Sequence, residues 1–403
     1  MTSVFIPYGA YWSTPFSKWQ GAFSELHSLR FAAYTAHKEL NKRGLDIHKV
    51  DFGVLGTSVP QKHAFYGLPW VMGELGASSV AGPTVSQACA TSARMLQTAA
   101  AEIQLAGATA ALTIATDRTS NSPHIYYPRP QAQGGVGEHE DWVLDNFFYD
   151  PYAQVSMLET AENIAAKGGF STAMQNEVVL RRYEQYLDAT KNNQQFQKKY
   201  MSLDFDYPNA SFKKVQGQLA GDDGVTPVVA DKIQRLQPVL EGGTINYAGQ
   251  THPADGNAAM LVTTQEAAAY FSQDPTIQIQ IVGFASARVE KAHMPAATVP
   301  AAQQLLKRHQ LSIHDMAAIK THNPFVVSDL YFAQQFEIDV LTMNNYGCSL
   351  IWGHPQSPTG LRSIIELIEE LVLKGGGYGL FSGCAAGDSA MAVLIKVGEK
   401  NAN

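Results

Sequence analysis

The chain has 403 residues, 45% of them apolar and 16% charged, with a net charge of −7. That is enough apolar material for at least one large core and excludes a disordered chain, while the acidic balance argues against nucleic acid or an anionic membrane as partner. No run approaches the roughly 20 apolar residues of a membrane-spanning helix, and three scattered cysteines form no disulfide framework, so a cytoplasmic, reduced protein is expected.

In chain order, Met1 to Ser13 lacks the basic-then-apolar pattern of a secretory signal. Residues 28–44 read as a helix, and Leu45-Asp46-Ile47-His48 leads into a strand over 50–56. Ser86-Gln87-Ala88-Cys89-Ala90-Thr91-Ser92 then opens an Ala-rich helix over 90–106, followed by Gly107 and a strand over 110–116. Residues 118–245 differ in character, richer in Asn, Gln, Tyr and Pro, with turn clusters and one amphipathic stretch from Thr160 to Ala189. A helix over 300–310 follows. Leu311-Ser312-Ile313-His314 then leads into a strand from Met316 to Ile319, ending at Thr321-His322-Asn323. Gly353-His354-Pro355 precedes a helix over 358–373, then Gly375-Gly376-Gly377, a strand over 378–382 and a Gly/Ala-rich turn holding Cys384. Asn401-Ala402-Asn403 is no peroxisomal address.

The order repeats. The two Leu-x-Ile-His turns are 266 residues apart (311 − 45), and Cys89 and His354, each ahead of a helix, a Gly and an apolar strand, are 265 apart (354 − 89). A duplicated half is the simplest reading. Continuously apolar strands alternating with helices imply parallel pairing covered on both faces, with reactive groups at carboxyl strand ends and helix N-termini. Cys89, His322, His354 and Cys384 all fall at such ends.

A thiol at a helix N-terminus is expected to favour its thiolate, and an imidazole beside it would complete a nucleophile. A second thiol across a cavity suits proton transfer at carbon, for which a weak base near neutrality is wanted. Cys, His and Cys together therefore read as an acyl-transfer site. The remaining histidines show no metal-ligand spacing, no Gly cluster forms a phosphate-binding fingerprint, and Cys348 is read as structural, inside a Gly-rich approach to a strand.

The chain resembles the thiolase family along essentially its whole length. The resemblance rests on the Cys89 turn, Ser122-Pro123-His124, Met157 to Asn163, the Gly-rich passage Ile245 to Ala259, His322-Asn323-Pro324-Phe325, Gly353-His354-Pro355 and Cys384-Ala385-Ala386-Gly387. It implies a duplicated five-layered α/β/α/β/α core with an inserted loop domain. The expected division is an N-terminal half at 1–117, the insertion over the active site at 118–245, a return segment at 246–272 and a C-terminal half at 273–403. It also implies reversible acyl transfer between acetyl-CoA or CoA and a 3-oxoacyl-CoA, with coenzyme A as co-substrate, no tightly bound cofactor or metal, and a homodimer or homotetramer.

Carried over by position, Cys89 would be the acylated nucleophile, His354 its base and an oxyanion donor, and Cys384 the acid/base at carbon. His322, where many thiolases have Asn, resembles the sterol-carrier-type branch and would hold a water or donate to the oxyanion. A backbone N–H near Ala386 would also serve the oxyanion. Met157, Thr251, His252 and Phe325 would line the cofactor and acyl pocket. Asn323-Pro324, Ala386 and His252 depart from the family pattern. Ala386 can serve only if its backbone suits an L-residue, and His252 puts the pantetheine contact in question. A decarboxylating or non-decarboxylating condensing enzyme of the same superfamily is the second alternative, and because decarboxylating synthases lack the second thiol, Cys384 favours thiolase chemistry; a non-catalytic acyl-CoA or lipid-binding subunit is the third.

Overall fold

The computed structural model describes residues 2–399; the C-terminal tripeptide lies outside them. The elements that build the core are β1 (Val4–Phe5), α1 (Ser28–Arg43), β2 (Phe52–Gly56), α2 (Gly67–Glu74), α3 (Thr91–Leu105) and β3 (Ala110–Arg118). Next come α4 (Met157–Gly168), α5 (Thr172–Gln194), β4 (Ala254–Thr263), β5 (Ile277–Arg288), α6 (Thr298–Arg308) and β6 (Met316–His322). The last are α7 (Val326–Phe336), α8 (Ser357–Leu373), β7 (Gly377–Ala385) and β8 (Ser389–Glu399).

Both halves share one topology. β2 runs parallel to β3, which is antiparallel to β4; β6 runs parallel to β7, which is antiparallel to β8. β1 pairs with β4 on one side and β5 on the other and so joins the halves. The repeat extends to single residues. Gly44 (φ 65°) and Gln310 (φ 57°) are both left-handed. The next residue in each copy closes the helix, Leu45 N–H donating to the Leu40 carbonyl at 2.9 Å and Leu311 N–H to that of Leu306 at 3.0 Å.

Strand alternation creates the layers. From β3, Ala110, Leu112 and Ile114 face α1 and α2, while Ala111 and Ala115 face inward. From β8, Ala390, Ala392 and Leu394 pack under α6 and α7, while Met391, Val393, Ile395 and Val397 face inward. Between the inward faces lie α3 and α8, which share one core with strands of both halves. The order is thus helix, sheet, helix, sheet, helix.

Burying α8 on every side requires its charges to be paired. Arg362 is bonded to Asp222 and to Glu366, and Glu366 also meets Lys320. The stretch expected as a single amphipathic run is two helices: Gly169 (φ 70°) ends α4 and Ser171 caps α5. Asp255 at the start of β4 pairs with Arg118 at the end of β3, so residues 119–253 leave and return at one strand end. No described helix is long and apolar enough to cross a membrane.

Candidate active site

The site forms because the two duplicated helices begin side by side. The Ser92 hydroxyl, in the first turn of α3, donates to the Ser357 carbonyl at the start of α8. A Cβ on Gly360 of α8 would come within 3.1 Å of that of Ser92. The turns preceding these helices, carrying Cys89 and His354, are therefore brought together.

Cys89 follows Ala88, whose φ of 44° is rare for a residue with a Cβ. Thr91 holds that turn, its hydroxyl donating to the Ala88 carbonyl (2.7 Å) and accepting from Gln87 N–H (2.8 Å). The Cys89 sulfur lies 3.1 Å from Nε2 of His354 and 3.3 Å from Oε1 of Gln356. His354 is fixed by Thr359 Oγ1 at its Nδ1 (2.6 Å) and by a backbone bond to the His252 carbonyl (2.8 Å). Gly353 is required: at φ 97° its added Cβ would meet Nε2 of His252 at 2.8 Å.

His322 ends β6 and lies against His354, with ring centroids 4.2 Å apart and the planes tilted by 36°. Its Nδ1 contacts the Ser349 hydroxyl at 2.8 Å, and its Nε2 is buried without a partner among the described residues. Cys384 is fully buried near the end of β7, inside the strand rather than in the turn after it, with its sulfur 3.9 Å from the His322 carbonyl. Its neighbour His322 offers a ring nitrogen within 4.8 Å of the Cys89 sulfur, so both thiols border the same imidazole residue. The backbone of Ala386 acts on the Cys89 thiol and pulls its pKa down. Left-handed geometry begins only at Gly387 (φ 78°), so Ala386 carries no conformational penalty.

The electrostatics correct one expectation. Burial pushes the Cys89 thiol up to about 12, against the pull of the Ala386 N–H. Burial also drives His354 well below its ordinary range, with His322 and His252 adding to it. The resting pair is therefore neutral thiol and neutral imidazole, because desolvation outweighs the helix N-terminus. Cys384 too is held well above its ordinary range by burial, a protonated acid at rest and not a base near neutrality.

Other expected residues sit at the margin. Thr251 spends its hydroxyl on the Ser349 carbonyl (2.5 Å), and its N–H bonds the Pro324 carbonyl (2.7 Å). His252 backs onto the His354 turn with its Nε2 unpartnered among the described residues. Phe325 and Met157 pack in the apolar cluster that includes Cys384. Cys348 is buried as the cap of the short helix Ser349–Trp352, so it leads into a helix rather than a strand, and burial raises its thiol to about 11. Donor atoms of Cys89, His322 and His354 lie within 4.8 Å of one another and could hold a metal ion, although the thiol already pairs with His354. Sequence reasoning missed Gln356, Ser349 and Thr359; only Gln356, two residues past His354, carried any signal.

A strained turn presenting a thiol to an imidazole, with a second thiol alongside, defines an acyltransferase-type site. The Thiolase, N-terminal domain model matches residues 10–266 and the Thiolase, C-terminal domain model residues 275–397. The chain belongs to the thiolase family. It is 23% identical over 391 residues to the human mitochondrial 3-ketoacyl-CoA thiolase, covering 95% of this chain and 96% of that one. It is 25% identical to the mitochondrial acetyl-CoA acetyltransferase of Rattus norvegicus, covering 95% and 89%. The human 3-ketoacyl-CoA thiolase in complex with CoA superposes with a TM-score of 0.86 at 23% identity, over 98% of each chain. The Bacillus anthracis acetyl-CoA acetyltransferase gives 0.88 at 24% identity, over 98% and 99%.

Proposed function

We propose that this protein is a thiolase moving acyl groups between acetyl-CoA or CoA and a 3-oxoacyl-CoA through an acyl-enzyme on Cys89. The observation that carries the reading is the 3.1 Å contact between the Cys89 sulfur and His354 Nε2, with Cys384 beside it. Because the resting pair is neutral, His354 takes the thiol proton as the sulfur attacks the 3-oxo carbon. The carbon–carbon bond then breaks, the Cys384 thiol protonates the departing α-carbon, and His354 passes the proton it took from Cys89 to the resulting Cys384 thiolate, which restores both groups before CoA takes the acyl group from Cys89. The Ala386 and Cys89 N–H groups face the charge developing on oxygen; one such donor is worth about 3–4 kcal/mol in other enzymes.

The family relationship and the CoA-bound human neighbour support CoA thioesters as substrates, with CoA as co-substrate and no tightly bound cofactor. Met157, Thr251, His252 and Phe325 are assigned to the pocket wall, and the insertion at 118–245, between the core segments 1–117, 246–272 and 273–403, to selection of the acyl group. Acyl-chain breakdown in the cytoplasm by a homodimer or homotetramer completes the proposal.

Thiolysis of short, medium and bulky 3-oxoacyl-CoA substrates tests it. Wild-type protein should consume at least one class, and Cys384→Ala should still acylate while losing condensation by at least about 100-fold. Wild-type condensation rates in Cys384→Ala would refute the two-thiol assignment.

A further inference from the structure

The end of α8 away from the active site borders a cleft of about 250 Å³ with a cationic lining, in a chain whose net charge is −7. Four segments meet there: Tyr8 after β1, Lys42 and Arg43 at the end of α1, Lys198 and Lys199 in the 3₁₀ turn Gln197–Lys199, and Glu369 on α8. From Ser357 to Glu369 the helix advances 12 residues (369 − 357), about 18 Å, so the cleft is remote from Cys89 and His354.

Arg43 is fixed in place. Its side chain is 5% exposed, with Nε 3.0 Å from Oε2 of Glu39 and Nη1 donating to the Gly9 carbonyl at 3.1 Å. Its Nη2 has no partner among the described residues, so one arm of the fork is left over. Glu369 is already satisfied, since Oε1 accepts from the Tyr11 hydroxyl at 2.6 Å and Oε2 lies 3.2 Å from Lys199 Nζ. Lys42 donates to the Ser202 hydroxyl at 2.8 Å, and neither it nor Lys198, both exposed, meets a carboxylate among the described residues. Setting Glu39 and Glu369 against the four cations leaves a surplus of two positive charges.

We propose that this cleft binds a small phosphomonoester dianion. The surplus matches a dianion, and a fixed guanidinium flanked by mobile ammonium groups is the donor set that phosphate oxygens favour. The volume falls just below the roughly 300–1,000 Å³ of pockets for drug-sized ligands, which suits a phosphate carrying a few carbons and is too small to enclose CoA. Arg43, Lys42 and Lys198 take the phosphate, while Lys199 stays with Glu369.

Isothermal titration of the full chain with glycerol 3-phosphate tests this, at about pH 8, where the phosphate is a dianion, and about 50 mM chloride, where charges are only partly screened. One molecule should bind per chain with a Kd below about 1 mM, and saturating CoA should not displace it. Lys42→Gln/Lys198→Gln, which removes two exposed charges, should weaken binding at least about 10-fold. Lys213→Gln/Lys214→Gln makes the same charge change on exposed lysines elsewhere and should leave the Kd within about 2-fold. Succinate, a dianion without phosphate, should bind at least about 10-fold more weakly than glycerol 3-phosphate. Absence of binding up to about 10 mM, displacement by CoA, succinate binding as tightly, or equal weakening by the two double variants would each overturn the proposal.

Discussion

Gln356 carries more of the site than its place after a His-Pro pair suggests. Its backbone is left-handed (φ 66°, ψ −106°), its side chain is buried, and its Oε1 accepts from the Cys89 thiol at 3.3 Å. Gln356→Leu removes an acceptor that favours the neutral thiol and should speed alkylation of Cys89 by iodoacetamide about 5-fold at pH 8, measured by intact mass; an unchanged rate would show the contact to be idle. Gln356→Glu sets a negative charge beside the sulfur and should slow it instead.

The buried imidazoles also make stability depend on pH. His322 is held down to about 3 by burial, against an ordinary value of 6.5. Above pH 6.5 both folded and unfolded states leave it neutral. Below that, only the unfolded state binds the proton, so stability falls with pH by up to about 1.4 kcal/mol per unit. His354 acts in the same direction. Asp255, raised by burial to about 6 from 3.8, opposes them in the window between those values, since there the folded state binds the extra proton. The urea midpoint of wild type should therefore fall from pH 6.5 to 5. His322→Asn should flatten that slope by one proton; an unaltered slope would contradict the assignment.

At the level of elements, the two halves are fastened where the chemistry happens. Asp117, near the end of β3, accepts from the N–H groups of Ser58, Val59 and Ser357 at 2.9 Å each, and from the hydroxyls of Thr57 and Ser58. One buried carboxylate thus holds the ends of β2 and β3 against the N-terminus of α8. Asp117→Ala strands several donors and should cost at least about 2 kcal/mol in urea denaturation; a loss below 0.5 kcal/mol, on the order of a surface change, would refute this. The insertion is tied down by Asp222, bidentate on Arg362 (2.6 and 2.8 Å), while that guanidinium lies over the rings of Phe16 and Trp352. Removing one partner of a buried pair costs about 3–5 kcal/mol, so Asp222→Ala should rank among the most damaging substitutions outside the site.

These fastenings explain what sequence could and could not reveal. The repeat was readable because Leu45-Asp46-Ile47-His48 and Leu311-Ser312-Ile313-His314 are local structures, and both form short 3₁₀ turns after a left-handed residue. Cys89 and His354 were readable because each precedes an apolar periodic run. Asp117, Asp222, Ser349 and Asn323 were not, since a polar residue gives no sign in sequence of which distant element it will bond. The expected thiolate failed for a related reason: desolvation is a property of the assembled layers, whereas the helix N-terminus is visible locally.

Across the whole molecule, a duplicated unit places two helix N-termini next to each other in the middle layer and gives each a different reactive group. Neither half holds the site alone, since Cys89 comes from one and His354, His322 and Cys384 from the other. The central claim is that Cys89 is where the acyl group rests. Intact-mass analysis after brief exposure to acetyl-CoA tests it directly: wild-type protein should gain a single acetyl group that maps to Cys89, and Cys89→Ser should gain none under the same conditions. An adduct that persists in Cys89→Ser, or wild-type protein that never gains one, would contradict the account.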